Sequence, residues 1–298
     1  MSHTIGFIGV GAMGYHMAAL LTHAGYTMIV LDATAEAVSR FIQSHPSAKT
    51  AESIQELAHC DVVITMLPSS KAVEQVVLGK EKIVGLIDVM QKGATLIDMS
   101  SSAPASTREL AANLHKKGIH MLDAPVSGGV RRAIDGSLAV MVGGDEKILK
   151  QMEPVLACLG KTITHVGGHG AGHAVKALNN YVSAAGLVAA AEATLAGQAF
   201  GLDPNVMADV FNGSTGRNNT TEHKLKQFML SGTFAAGFSL RLMEKDVATA
   251  LDLGLGQGQE MALCKRLSQM WHDAADVLPP TADHTAIYGY LGQTQIKR

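Results

Sequence analysis

A glycine-rich turn near the start of the chain limits the fold more than any other stretch. Residues 4–8 form a short apolar run, and a G-x-G-x-x-G pattern and then a helical pattern follow it directly. The first glycine of such a pattern allows a tight turn, the second lets the backbone approach a pyrophosphate, and the third lets the helix pack on the strand. The start of the helix offers free N–H groups to the phosphates. The pattern predicts a bound dinucleotide in contact with Gly9, Gly11, Ala12, Met13 and Gly14.

An acidic residue at the expected distance from this turn indicates which dinucleotide is bound. The apolar run at residues 27–31 ends in Asp32, and no arginine follows before Arg40. A carboxylate at that place accepts hydrogen bonds from the ribose hydroxyls, and it repels a 2′-phosphate. We therefore expect NAD as the preferred cofactor, with NADP left open.

Strand-like and helical runs alternate along the first half of the chain, and helical runs alone fill the second half. The later strand-like runs cover residues 61–67, 95–99, 119–122, 138–142 and 163–166. This alternation is typical of an α/β fold, here an N-terminal Rossmann domain with a doubly wound parallel sheet. The helical patterns predict an all-α C-terminal domain. We expect an NAD(P)-binding domain at 1–165 and a helical substrate and oligomerisation domain at 166–298, joined by a long helix that starts near residue 172.

Several polar or turn-forming residues follow predicted strands, and ligands of such sheets bind past the carboxyl ends of the strands. They are Leu67, Pro68, Ser101, Ser127, Gly128 and Gly129. Two glycines after a serine can turn successive N–H groups inward to hold a carboxylate. From these residues alone, a plain turn explains the Ser-Gly-Gly sequence equally well.

Residues 170–180 form a glycine turn that opens a helix with two polar residues. Lys176 and Asn180 are four residues apart and share one helix face, where an amine and a carboxamide can hold a small polar molecule. Taken alone, the pattern is typical of a plain helix with a solvated lysine. Beside a dinucleotide site and at a domain boundary, where small-molecule sites are common, it favours Lys176 and Asn180 as catalytic residues. The same pattern assigns no role to His173.

Composition argues against several other function classes. The formal net charge is −2 and aromatic residues make up 4% of the chain, which does not favour nucleic-acid or membrane binding. The three cysteines are far apart, which argues against disulfides and zinc and fits a reducing compartment. His169 and His173 have no carboxylate between them, so we expect no metal site. With no signal peptide or membrane-length apolar stretch in the sequence, we expect a cytoplasmic protein.

Four blocks together resemble the β-hydroxyacid dehydrogenase family, which contains 3-hydroxyisobutyrate dehydrogenase and tartronate semialdehyde reductase. They are GFIGVGAMG at residues 6–14, DAPVSGG at 123–129, GAGHAVKALNN at 170–180 and FSLRLMEKD at 238–246. The resemblance covers nearly the whole chain. It implies an NAD(P)-dependent oxidoreductase whose chains assemble through the helical domain as homodimers or homotetramers.

The resemblance also implies roles for individual residues. Lys176 matches the catalytic lysine, and Asn180 matches its substrate-orienting partner. The residues that match the substrate-carboxylate site are Ser127, Gly128 and Gly129. Lys245, for which the local pattern indicates only a surface salt bridge, matches a residue that closes over the nicotinamide and the substrate. The residues that match cofactor contacts are Leu67, Pro68 and Ser101, the last where relatives often have threonine, while Ala72 stands where some relatives carry a polar contact.

The predicted reaction is hydride transfer between a nicotinamide and a small β-hydroxy acid or its semialdehyde, with Lys176 as general acid and base. A tartronate semialdehyde reductase or an imine reductase on the same scaffold is the alternative, although imine reductases usually replace the lysine. A 6-phosphogluconate-type enzyme would need a sugar-phosphate arginine cluster and a longer helical domain. A non-catalytic NAD sensor would need neither Lys176 nor Ser127. The acid stays open between a 3-hydroxyisobutyrate-like acid, tartronate semialdehyde with glycerate, and a longer acid such as threonate or hydroxymethylglutarate.

Overall fold

The computed structural model describes residues 3–80 and 83–296. The chain divides into two compact units, one up to Lys176 and the other from Ala177 onward. The predicted domain ranges 1–165 and 166–298 stay a prediction, and residues 1, 2, 81, 82, 297 and 298 of those ranges lie outside the described part.

The first unit is built on a sheet whose strands come from most of its length. Its strands are β1 (Thr4–Ile8), β2 (Thr27–Leu31), β3 (Lys49–Thr50), β4 (Val62–Thr65), β5 (Thr95–Asp98), β6 (His120–Asp123), β7 (Val126–Ser127), β8 (Leu138–Gly144) and β9 (Gly160–Gly167). Its helices are α1 (Gly14–His23), α2 (Ala35–Ser44), α3 (Ser70–Leu78), α4 (Leu86–Val89), α5 (Pro104–Lys116), α6 (Gly129–Ile134) and α7 (Glu146–Ala157), with a 3-10 turn at Ile54–Leu57.

The strand order is β3-β2-β1-β4-β5-β6-β8-β7, and β9 pairs with β8. Strands β1 to β6 are parallel neighbours, in the order of a dinucleotide-binding Rossmann fold. The predicted doubly wound parallel sheet is thus confirmed. Beyond β6 the sheet is mixed, because β8 runs antiparallel to both β6 and β7 while β9 is again parallel to β8.

Helices cover both faces of this sheet, which explains why its strands are apolar almost throughout. Successive residues of a strand point to opposite faces. In β5, Ile97 packs into one hydrophobic cluster with Phe7 and Phe41, while Leu96 packs into the other with Leu114. All five side chains are fully buried.

The second unit is helical, as the sequence predicts. The long helix α8 (Ala171–Phe200) begins in the first unit and supplies the first part of the second. The helices that follow are α9 (Pro204–Gly213), α10 (Asn219–His223), a π-helix at Leu225–Leu230, α11 (Leu240–Gly256), α12 (Ala262–Val277), a 3-10 turn at His284–Ala286 and α13 (Ile287–Ile296). Their core surrounds Trp271, with Leu187 and Val247 in the same buried cluster. Within the described residues, no helix is long and apolar enough to cross a membrane.

Candidate functional site

The glycine turn after β1 has the geometry that the sequence predicts for it. Gly9 has φ +98°, and a Cβ at Gly14 would overlap the carbonyl oxygen of Gly9, so a larger residue at either place would distort the turn. A Cβ added at Gly11 would meet no atom within 4 Å. Of the three glycines, Gly11 therefore faces open space, as it must if a pyrophosphate is to approach the backbone there. The turn fits a dinucleotide.

The first turn of α1 is open to an anion. Among the described residues, no side chain caps its start, and no acidic residue lies in its first turn. The predicted contacts Ala12 and Met13 immediately precede this helix, and Ala12 is exposed. The N–H groups and the positive end of the helix dipole can therefore hold a phosphate.

Asp32 lies directly beside the glycine turn. Its carboxylate accepts the N–H of Val10 at 2.8 Å through one oxygen and the N–H of Thr34 at 2.8 Å through the other. Each oxygen keeps a lone pair for a further donor. Because both bonds come from the backbone, the carboxylate is held in place before a ribose arrives.

The predicted contacts after β4 and β5 lie at the same carboxyl edge, since β4 pairs with both β1 and β5. The N–H of Leu67 donates to Ser100 Oγ at 2.9 Å, which ties the two loops together. Pro68 is exposed and Ser101 is half-buried. The structure therefore groups Leu67, Pro68 and Ser101 with the glycine turn.

Ser127 ends the short strand β7, and two glycines with positive φ follow it. Gly128 has φ +134° and Gly129 has φ +66°, and the second opens α6. Gly128 is exposed and Ser127 is half-buried. A Cβ added at Gly129 would meet no atom within 4 Å, whereas the Arg132 side chain packs against Gly128. The backbone at Gly129 is therefore open to an anion.

Lys176 and Asn180 lie on one face of α8, and both are buried, at 8% and 6% exposure. The local expectation of a solvated lysine is therefore wrong, because packing around the helix encloses both residues. Asn180 Nδ2 donates to Asp246 Oδ2 at 2.6 Å, and Asn180 Oδ1 accepts from Asn179 Nδ2 at 3.1 Å. The carboxamide is thus fixed in orientation.

Asp246 links the second unit's two predicted residues. Besides the bond to Asn180, its carboxylate lies 3.4 Å from Lys245 Nζ. Asp246 is 2% exposed, so the pair is not the surface salt bridge that the local pattern indicates. The sequence analysis assigns no role to Asp246, although it stands next to Lys245 in the block FSLRLMEKD.

Asp123 was also missed, and it holds the start of α8. Its carboxylate accepts the N–H of Gly170 at 2.8 Å and the N–H of His173 at 3.1 Å. These N–H groups belong to the first turn of the helix that carries Lys176, where no intrahelical partner is available. Burial raises the pKa of Asp123, while the nearby imidazole and the two backbone donors oppose that rise.

His173, expected to have no role, lies at the centre of a buried polar network. Its Nδ1 is 2.7 Å from Thr107 Oγ1, and its Nε2 is 3.2 Å from the carbonyl oxygen of Ser100. Its two ring nitrogens also lie 3.7 Å from Asp98 and 3.9 Å from Asp123. The network fixes the end of β5, the end of β6 and the start of α8 relative to one another.

Asp98 completes this network from the end of β5. It accepts the hydroxyl of Thr65 at 2.9 Å, the N–H of Ser100 at 3.0 Å and the hydroxyl of Ser102 at 2.8 Å. The loop that bears Ser101 is thereby anchored on both sides of that residue. The sequence gives one sign of Asp98 and Asp123, since the apolar runs of β5 (TLID) and β6 (HMLD) both end in aspartate.

Among the described residues, no cluster of His, Cys, Asp and Glu side chains could hold a metal ion.

Comparison with known proteins identifies the family to which the two halves of the chain belong. A family model described as the NAD binding domain of 6-phosphogluconate dehydrogenase matches residues 4–167, and one described as NAD-binding of NADP-dependent 3-hydroxyisobutyrate dehydrogenase matches residues 170–291. The chain belongs to the β-hydroxyacid dehydrogenase family. It is an NAD(P)-dependent dehydrogenase that acts on CH–OH groups.

Individual relatives cover most of the chain. The 2-(hydroxymethyl)glutarate dehydrogenase of Eubacterium barkeri is 39% identical over 84% of this chain and 82% of that protein. The mitochondrial 3-hydroxyisobutyrate dehydrogenase of Mus musculus is 33% identical over 98% of this chain and 88% of that protein. The 3-hydroxyisobutyrate dehydrogenase of Mycobacterium tuberculosis, solved with L-serine, superposes with a TM-score of 0.88 at 33% identity and covers 98% and 99% of the two chains.

Replacing His173 by alanine should destabilise the protein. The change removes the imidazole that contacts the Thr107 hydroxyl and the Ser100 carbonyl oxygen, and it leaves the two buried carboxylates Asp98 and Asp123 without the ring between them. The loss of hydrogen bonds at a buried polar site costs about 1–3 kcal/mol. We expect the free energy of unfolding to fall by about 2 kcal/mol or more in urea titrations followed by circular dichroism. His115→Ala, at an exposed position of α5, is the control and should change it by less than about 0.5 kcal/mol. Equal effects of the two changes would contradict the role given to the network.

Proposed function

We propose that Lys176 is the general acid and base of the reaction and that Asn180 orients the substrate beside it. The observation that carries this proposal is a buried lysine one helical turn from a carboxamide that is fixed by Asp246. When bound, the nicotinamide supplies or takes up the hydride. In oxidation, Lys176 Nζ accepts the proton of the substrate hydroxyl, and in reduction it returns a proton to the forming alkoxide.

Ser127, Gly128 and Gly129 bind the substrate carboxylate in this proposal. The two positive φ values support it, because they turn backbone N–H groups toward one place, and the Ser127 hydroxyl adds a donor. Lys245 closes over the nicotinamide side of the substrate. Its contact with the buried Asp246 supports that role, since Asp246 also holds Asn180.

For the cofactor, we propose a preference for NAD over NADP. The support is the Asp32 carboxylate, which is fixed by two backbone N–H groups and keeps acceptor positions for ribose hydroxyls. The proposed phosphate contacts are Gly9, Gly11, Ala12, Met13 and Gly14. The other proposed contacts are Leu67, Pro68, Ser101 and Lys245.

The substrate that we propose is a small acid with a hydroxymethyl group on the carbon next to the carboxylate. The names of two relatives, 3-hydroxyisobutyrate dehydrogenase and 2-(hydroxymethyl)glutarate dehydrogenase, both describe such acids. A tartronate semialdehyde reductase activity is the alternative. A panel of small hydroxy acids and semialdehydes, each assayed with NAD and with NADP, distinguishes them. The cytoplasmic location expected from the sequence stays a prediction.

We further propose a homodimer or homotetramer that forms through the second unit. Large apolar side chains on α8 and α9 are exposed there, at 68% for Val182, 84% for Phe200, 57% for Val206 and 57% for Val210. Exposed apolar side chains grouped on neighbouring helices are typical of a surface that another chain covers.

Replacing Lys176 by alanine should lower turnover by about 10²-fold or more, because general acid–base catalysis contributes roughly that much. Steady-state kinetics with the best acid of the panel measures kcat and KM separately. Lys161→Ala, at an exposed position of β9, is the matched control and should keep wild-type turnover. Near-normal kcat in Lys176→Ala would remove Lys176 from the proposed role.

Replacing Asp32 by alanine should raise the KM for NAD. The ratio of kcat/KM with NAD to kcat/KM with NADP should fall by about 10-fold. The change removes both the acceptor for the ribose and the charge that repels a 2′-phosphate. Asp32→Asn, which keeps an acceptor oxygen without the charge, separates these two effects. A wild-type enzyme that uses NADP better than NAD would show that the assignment of Asp32 is wrong.

Replacing Val206 by glutamate should dissociate the assembly, because a buried unpaired charge is costly at an interface. Light scattering after gel filtration should show the mass falling by half or more relative to wild type. Val277→Glu, at a position of α12 with 69% exposure, should leave the mass unchanged. A monomeric wild-type protein would contradict the proposed assembly.

A further inference from the structure

Lys224 occupies a break between two helical segments of the second unit. The sequence pattern predicts one helix over residues 222–230, but α10 ends at His223 and the π-helix begins at Leu225. Lys224 between them has φ −129° and ψ −38°. Its side chain is half-buried, and its Nζ donates to Ser183 Oγ at 3.4 Å. This bond is long for a charged donor.

The ammonium of Lys224 is only partly compensated. Among the described residues it forms no ion pair, and burial lowers its pKa, with the more distant Asp283 opposing that effect. The Asp283 carboxylate is already committed, because it accepts the N–H groups of Gly237 at 2.7 Å, Phe238 at 3.0 Å and Thr285 at 2.9 Å. The hydrogen bonds to Asp283, from His284 and Thr285 above all, hold its pKa well below the usual range against the effect of burial.

Lys226, two residues further on, shows the ordinary arrangement. Its ammonium pairs with the carboxylate of Asp209, so its charge is neutralised within the chain. Lys224 and Lys226 therefore differ in one respect that matters for binding: among the described residues, a carboxylate neutralises the charge of Lys226, whereas Lys224 has only a hydroxyl partner. An ammonium has three donors, and the Ser183 hydroxyl takes one of those of Lys224.

Ser183 places this ammonium on the face of α8 that carries the proposed catalytic residues. Ser183 follows Asn180 by three residues and Lys176 by seven, so the three lie along one stripe of the helix. Along the helix axis, the Cα atoms of Lys176 and Ser183 are about 10 Å apart. A molecule bound beside Lys176 would need to extend along this stripe by about that length to meet Ser183, the residue that holds the Lys224 ammonium.

We propose that Lys224 and Ser183 bind a second acidic group at the far end of the substrate, so that the enzyme prefers hydroxy acids with two carboxylates to those with one. This inference rests on the proposed function, since it takes Lys176 as the reacting end. A carboxylate is the group that an ammonium beside a hydroxyl recognises, because it accepts hydrogen bonds from both. A substrate with an apolar end leaves the charge of Lys224 uncompensated.

The experiment compares 2-(hydroxymethyl)glutarate, which has two carboxylates, with 3-hydroxyisobutyrate, which has one. Wild-type enzyme should show the higher kcat/KM for the dicarboxylate. Lys224→Met should lower the ratio of the two kcat/KM values by about 10-fold or more, as expected for a lost hydrogen bond to a charged group, mainly through KM. Lys224→Arg should keep most of the preference. Lys226→Met is the matched control and should leave the ratio unchanged.

Binding of unreactive acids separates this inference from the proposed function. Glutarate should bind the NAD-loaded enzyme at least about 10-fold more tightly than butyrate by calorimetry, and Lys224→Met should abolish that difference while thermal unfolding shows a folded protein. Equal affinities of wild type for the two acids, or an unchanged difference in Lys224→Met, would overturn the inference whatever the turnover. Normal turnover in Lys176→Ala would instead overturn the proposed catalytic role and leave the result on Lys224 standing.

Discussion

The hydrogen bonds between the Asp123 carboxylate and the first turn of α8 are the interaction on which the candidate site depends. Asp123 ends a central strand, and its two oxygens fix the N–H groups of Gly170 and His173. Lys176 follows one turn later, so its position on the sheet edge is set by a strand rather than by a flexible loop. Burial makes these bonds effective, because no water competes for the same donors and acceptors.

The parts of the site that are local in sequence could be predicted, and the parts that depend on distant contacts could not. The geometry of the glycine turn beside Asp32, and the shared helix face of Lys176 and Asn180, each follow from spacing along the chain. Asp123, by contrast, caps the start of α8 by accepting the N–H of Gly170, which lies 47 residues later, and no local pattern shows such a bond. For His173, the sequence gives only its place on a helix, and its role comes from two aspartates that end neighbouring strands.

In the helical unit, too, local features can be predicted from the sequence, and features that depend on distant contacts cannot. Periodicity predicts its helices well, since apolar residues at helical spacing must face the core. It does not predict where a helix breaks, because a π-helix and an α-helix place apolar residues almost alike over one or two turns. The break at Lys224 is therefore visible only in the structure, and it is the break that directs this lysine toward Ser183. Lys245 is a related case. A Lys-Asp sequence predicts a surface salt bridge, whereas the structure buries Asp246.

The capping of α8 by Asp123 also bears on how the sheet edge distinguishes between anions. The helices that begin at this edge include α1 and α8, and the start of each attracts negative charge. The chain has filled one of them with its own carboxylate and has left the other, at α1, without a capping side chain. A diphosphate that reaches this edge therefore finds N–H groups available at the start of α1, whereas at the start of α8 the Asp123 carboxylate already accepts them. Of these two helix starts, α8 repels a diphosphate through its own carboxylate, which favours α1 as the place where a pyrophosphate binds.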